Sequence, residues 1–273
     1  MKAPLRSLAR RTPPAAALAL LALFILGPLA WLLLWAFAGT WTYPALLPQH
    51  WSLDWWGEVF SAPQLWRSIE LSLFFSPVVT AVSAVVCLPA AYAFARSSFP
   101  LRRSFLVLLF STNAFPKIGL YLAIAGLFYS LHIMGSAVGV VLIQLLGTIV
   151  FMVWIPAAAF AGVPPALEEA ARDAGAGRVR TFLWVTLPVA APGIFVAMVL
   201  AFLASFDEAQ GTLLVGAPNY VTMPTQMYSL VNNYPPQAAA VFALLLSVPS
   251  VALMLLVRRH VMGGALARGF QLH

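Results

Sequence analysis

The 273-residue sequence predicts an all-α integral membrane protein: six transmembrane helices, with a short cytoplasmic helix between the fourth and fifth. Three observations carry that expectation. Hydrophobic residues make up 62% of the chain and charged ones only 8%, too much apolar surface for one water-soluble core to hide. Apolar runs recur at the length of about 20 residues that a hydrocarbon layer of roughly 30 Å asks of a helix. The basic residues cluster in alternate segments between those runs.

Read in order, the spans fall at approximately 15–38, 68–95, 104–130, 138–161, 190–213 and 237–257. The first follows basic residues and ends near "AFA", as a secretory signal peptide would. Its apolar stretch is longer than the usual signal core of about 7 to 15 residues, so it is read as a retained anchor. The outer segment Gly39 to Arg67 is rich in tryptophan. Trp51, Trp55 and Val59 are spaced to share one face of a short helix, and indoles favour the membrane boundary. Span two contains Cys87, the only cysteine, which excludes an intrachain disulfide and a cysteine-based metal cluster. Between spans five and six lies an outer loop, Gly216 to Pro236. With no fixed-period repeat, low-complexity tract or long linker, one membrane domain over residues 1–273 is expected.

The net charge of +7 would suggest nucleic acid as a partner for a soluble protein, but its placement points elsewhere. With a cytoplasmic N-terminus, the inner segments hold thirteen of the fifteen basic residues, leaving only Arg67 and Lys117 elsewhere. This positive-inside asymmetry places both termini in the cytoplasm. No basic run interleaved with aromatics offers itself to a nucleic acid.

The segment 164–188 carries the strongest local signal. Pro164 and Pro165 suit a helix start, and Gly175 or Gly177 a left-handed cap at its end. Spacing puts Leu167, Ala170, Ala171 and Ala174 on one face and Glu168, Glu169, Arg172 and Asp173 on the other, with Glu168 and Arg172 as an i, i+4 pair. The helix is too short and polar to span, and its small face allows a partner to approach closely.

The pattern Glu169-Ala170-Ala171, three residues, Gly175, nine residues, Val185, one residue, Leu187-Pro188 closely resembles the EAA loop of permease subunits of binding-protein-dependent ABC importers. Asp173 and Ala176 match it too; Val185 departs from the usual isoleucine. "LPAAYAFARSSFPLRR" is similar to the family's second cytoplasmic junction, so the resemblance covers nearly the whole chain. It implies that 164–188 contains a coupling helix docking in a groove of an ATP-hydrolysing subunit through Glu168, Glu169, Ala170, Ala171, Asp173, Gly175, Leu187 and Pro188. It further implies two copies of that ABC ATPase subunit, holding the ATP and magnesium, a second permease that is often a paralogue, and an external solute-binding protein in contact with the 216–236 loop. The location implied is a bacterial inner membrane.

Ionisable groups inside a span are costly and face a cavity or a partner. Counted at about 1.5 Å per residue from the inner ends of their spans, Lys117 and Asp207 reach one depth. Lys117 is therefore expected to pair with Asp207 or Glu208, or to line the translocation path with them, beside Asn113 and Gln210; an ion pair that only fixes packing remains open.

The chain itself is expected to perform no chemistry. It holds no Walker sequence, no cofactor and no metal site, and its four histidines fall in loops and the tail. A self-contained secondary transporter is the alternative; it calls for inverted repeats with interrupted helices, which the sequence does not display. "FLASFDEAQ" is similar to the polyamine branch of the family, "AYAFAR" and "GVPPALEEAA" to the sugar branch, and the cation at Lys117 suits an anionic solute such as a phosphonate or phosphate ester. All three substrate classes stay open.

Overall fold

The computed structural model describes residues 12–260 except 99, 101 and 112–114. Its elements are α1 (Thr12–Ala36), the short strands β1 (Ala38–Thr40) and β2 (His50–Trp51), α2 (Asp54–Ser61), α3 (Pro63–Arg96), α4 (Arg102–Ser111), α5 (Lys117–Ser130), α6 (Ala137–Ala161), α7 (Pro165–Asp173), α8 (Arg178–Phe206), α9 (Gln210–Gly216), α10 (Met223–Asn233) and α11 (Pro236–His260). The all-α membrane class holds. Among the described residues, five helices are long and apolar enough to cross a membrane: Ala16–Ala36, Pro63–Arg96, Ala137–Ala161, Arg178–Phe206 and Pro236–Leu255.

Two of the expected spans are built differently. The described residues of 104–130 fall largely in two helices, α4 and α5, and Pro116, at φ −57° and ψ 116°, is extended just ahead of α5. The fifth span begins twelve residues early, at Arg178, and stops at Phe206. Three residues intervene before α9. Both interruptions bear on the arithmetic of depth, since counting rise per residue assumes an unbroken helix.

The chain forms two units. One comprises the described residues up to Pro63 together with Ser229–Ser247. In it β1 and β2 pair antiparallel, the Trp56 indole donates to the Ala36 carbonyl at 2.8 Å, and the Ser52 amide donates to that of Phe37 at 3.0 Å. Trp51 lies in β2, outside the helix expected to carry it; of that expected face Val59 is buried in α2.

The second unit, Gln64–Tyr228 with the described residues from Val248, holds the core. Cys87 and Phe94 of α3, Met152 and Val153 of α6, and Ala197 and Ala201 of α8 pack together. A second cluster joins Tyr121, Ala125 and Phe128 of α5 to Ile143 of α6 and Val215 of α9. Helices α6 and α8 approach closely at Gly193, where a β-carbon would stand 2.6 Å from that of Ala159. In a bilayer, lipid competes equally well for apolar side chains, so such close approach at small residues supplies much of the helix association.

Candidate functional site

Helix α7 starts as its sequence specifies, with Pro165 in the first turn where a missing N–H costs nothing. Its end is a Schellman closure: the Gly175 amide donates to the Arg172 carbonyl at 2.8 Å and the Ala176 amide to that of Ala171 at 3.0 Å. Gly175 takes φ +87°, which a side chain disfavours. Of the two candidate glycines, Gly175 forms the cap.

The faces of α7 are divided otherwise than the spacing suggested. Glu168 is 3% exposed, whereas Leu167 is 45% exposed and Ala170 and Ala174 also face outward. A carboxylate has gone in and the apolar side has stayed out. Burying a charge this way is tolerable only with partners, and Glu168 has them. Its Oε1 accepts from Arg96 Nη2 at 2.9 Å, from Arg96 Nε at 3.2 Å and from the Thr186 hydroxyl at 2.7 Å. Arg172, the partner expected from i, i+4 spacing, reaches Oε2 only at 3.5 Å. Arg96 also donates to the Val163 carbonyl at 2.8 Å. The end of α3, the turn before α7 and the start of α8 are thereby tied to one carboxylate.

Thr186 reaches that position from a π-helical turn, Phe182–Thr186. The wide turn directly precedes Pro188, whose ring would collide with the Trp184 carbonyl in a regular α-helix. Leu187 donates across it to the Phe182 carbonyl and is half-buried; Pro188, Glu169 and Asp173 are exposed and Ala171 is half-buried. Neither Arg96 nor Thr186 stood among the expected site residues. Arg96 ends "AYAFAR", and a lone arginine closing an apolar span is the signal that would have found it.

Deeper in the unit, the interruption after Phe206 is stitched by Glu208. Its carboxylate accepts from the Gly211 amide at 3.0 Å, the Thr212 amide at 2.9 Å and the Thr212 hydroxyl at 3.0 Å, capping α9 in the manner of an N-cap side chain. Gln144 of α6 donates to Thr212 Oγ1 at 2.9 Å and accepts from Ser205 at 2.7 Å. The chain Ser205, Gln144, Thr212, Glu208 is buried throughout, so its donors all run toward the carboxylate.

The expected pairing of Lys117 with this region is therefore corrected. Glu208 is committed to the helix cap and points inward. No ion pair joins Lys117 to Asp207 or Glu208 among the described residues. Lys117 opens α5 after its break and Asp207 follows the end of α8; both are exposed, and Gln210 is half-buried. Asn113 lies outside the described residues.

Residues 86–262 match the family model of the binding-protein-dependent transport system inner membrane component. The chain belongs to that family. It is an integral membrane permease subunit of a binding-protein-dependent ABC importer, a non-enzymatic component. Its relatives include an ABC transporter permease protein from Streptomyces antibioticus, 30% identical over 81% of this chain and 97% of that one. A trehalose/maltose transport system permease from Thermococcus litoralis is 26% identical over 91% and 92%, and a galactooligosaccharides transport system permease from Bacillus subtilis 25% identical over 92% of each. Among solved structures, a bacterial ABC transporter that imports the acidic polysaccharide alginate matches with a TM-score of 0.72, over 95% of this permease and 99% of that chain at 18% identity. The secondary-transporter alternative is set aside by this membership.

Proposed function

We propose that this permease forms half of the translocation pathway of an ATP-driven importer of a small sugar or polyol, and that α7 is the coupling helix gripped by a separate ATPase subunit. One observation carries the reading: α7 presents its apolar residues Leu167, Ala170 and Ala174 outward while its one buried charge, Glu168, is spent on α3 and α8. An uncovered apolar strip on a helix too short to span fits a protein partner, and the inward clamp gives motion of α7 a route into two spans. In this reading Glu169, Ala170, Ala171, Asp173 and Gly175 meet the ATPase, while Glu168, Leu187 and Pro188 fasten α7 to the membrane part.

The complete transporter would hold two ATPase copies with their ATP and magnesium, a second permease of paralogous sequence, and an external binding protein. Both termini face the cytoplasm of a bacterial inner membrane, following the arginine asymmetry. Lys117, Asp207 and Gln210, uncommitted to the inward network, are the residues of this subunit that line the path. The sugar permeases among its relatives favour a neutral saccharide or polyol over a polyamine or phosphonate.

Purification of the tagged full-length chain in mild detergent tests the reading. Stoichiometric recovery of an ATPase subunit and a second permease is expected, with ATP hydrolysis stimulated by saccharide-loaded binding protein and lost in Gly175→Pro. A chain that purifies alone and transports in liposomes without ATP would overturn it.

A further inference from the structure

After α9 the chain stays packed on the second unit. The Asn219 side chain donates to the Gly135 carbonyl at 3.0 Å, the Tyr220 amide donates to that of Gly216 at 2.9 Å, and the Tyr220 ring meets Phe75 of α3 edge to face at 5.5 Å. The first turn of α10 is then buried, at Thr222, Met223 and Thr225. Here the Met223 amide donates to Ser72 Oγ of α3 at 2.8 Å, and the Thr225 hydroxyl donates to the Ala209 carbonyl at 3.3 Å. Ala209 is the residue just ahead of α9. The chain has run the length of α9, about 10 Å, and come back to where that helix begins.

Proton count fixes the direction of these bonds. A threonine hydroxyl has one proton to give, and Thr225 gives it to Ala209. At the 3.1 Å contact between the two hydroxyls, Thr222 is therefore the donor. The Ala209 carbonyl also receives the Leu213 amide of α9 at 2.8 Å. The same turn of α9 is held by Glu208 through the amides of Gly211 and Thr212. The start of α9 is thus bracketed, by Glu208 from its own segment and by Thr225 from α10. A valine would fill the space of Thr225 with no buried hydroxyl to satisfy, so packing alone does not call for threonine. One turn on, α10 opens outward, with Tyr228 45% exposed.

We infer that Thr225 is a positioning residue for transport. Its hydroxyl lets the segment 217–225 hold the first turn of α9 beside the break in span five, so that a partner displacing α10 also displaces that break. Ser72 supplies the pivot, because it fastens the same turn of α10 to α3. The role rests on the proposed function, in which the external binding protein contacts the loop 216–236. Through the Thr225 hydroxyl that contact reaches Asp207 and Gln210, which flank Glu208 and Ala209 in the chain.

Thr225→Val and Thr225→Ser test this in the full-length chain with its co-purifying subunits in detergent. Valine keeps the volume and removes the hydroxyl; serine keeps the hydroxyl. Hydrogen exchange of peptides across 208–214 should be faster in Thr225→Val by about threefold or more, as the loss of one hydrogen bond implies. Peptides of α6 should be unchanged, and Thr225→Ser should match the unsubstituted chain. The ratio of ATP hydrolysis with and without external binding protein loaded with trehalose or maltose should fall in Thr225→Val and be restored in Thr225→Ser. Unchanged exchange at 208–214 overturns the inference. So does a rise spread over all helices, or one that serine does not reverse, since either makes Thr225 a packing residue. Faster exchange with an unchanged hydrolysis ratio also overturns it, because the bond then holds α9 without passing on the partner's contact. An unsubstituted complex with no stimulation counts against the proposed function instead, and the exchange comparison still decides whether Thr225 holds α9.

Discussion

Arg96 and Glu168 stand 72 positions apart in sequence and meet through two hydrogen bonds, of 2.9 and 3.2 Å. One residue closes a membrane-spanning helix; the other lies in the short helix expected to grip a partner. Because the carboxylate is buried and the guanidinium largely so, removing either leaves an uncompensated charge, a loss of about 3 kcal/mol or more. Arg96→Ala and Glu168→Ala should each lower the unfolding midpoint of the purified chain in detergent. The double variant should fall well short of the sum, by about 1 kcal/mol or more. Strictly additive losses would mean that the pair does not act as a unit.

How α7 is held was only partly legible in the sequence. Its start, its end and its amphipathic spacing follow from Pro165, Gly175 and the alanines, which act locally. Which face turns inward does not, because that depends on where Arg96 and Thr186 arrive, and both come from distant elements. The i, i+4 rule pairs Glu168 with Arg172, yet in the fold the better donor lies on another helix. Depth along spans three and five was not legible for a related reason. Hydropathy averages over breaks such as that at Pro116, and Glu208 reads as a channel charge until the amides of Gly211 and Thr212 are seen to surround it.

Gly175 is required for its backbone and not for its space. A β-carbon there would meet nothing within 4 Å, but φ is +87°. Gly175→Ala should therefore cost about 1 kcal/mol of local helix stability, with little change in the unfolding midpoint of the membrane core. Gly175→Pro, which also cannot adopt this φ and loses the amide bond to Arg172, should fray the end of α7. Hydrogen exchange of Ala174 to Ala176 reads this directly; unchanged protection in the proline variant would rule the cap out as the helix stop.

Asp207 is exposed while its neighbour Glu208 is committed to the cap of α9, and the role in the path proposed for Asp207 predicts opposite phenotypes. Thr212→Val removes both the hydroxyl that donates to Glu208 and the oxygen that receives Gln144, leaving buried polar groups unpaired at a cost of about 1–3 kcal/mol. Asp207→Asn, at an exposed position outside the network, should change stability by less than about 0.5 kcal/mol while altering transport. Thermal unfolding of the two variants, with uptake measured in proteoliposomes, separates them. A destabilised Asp207→Asn with normal uptake would assign Asp207 a packing role.

The contact between α6 and α8 gives a prediction whose sign can be fixed in advance. A β-carbon at Gly193 would sit 2.6 Å from the Ala159 methyl and 3.7 Å from its α-carbon, so the obstacle to Gly193→Ala is one methyl group and not the backbone. Gly193→Ala should destabilise by about 1–3 kcal/mol through overpacking. Ala159→Gly alone should cost about 1 kcal/mol in helix propensity. Together they transfer the methyl from one helix to the other and restore the fit, so the double variant should be more stable than Gly193→Ala by itself even though its second change is unfavourable alone. Unfolding midpoints of the four proteins in one detergent decide it. A double variant weaker than Gly193→Ala would mean that the helices part at this crossing instead of pressing together.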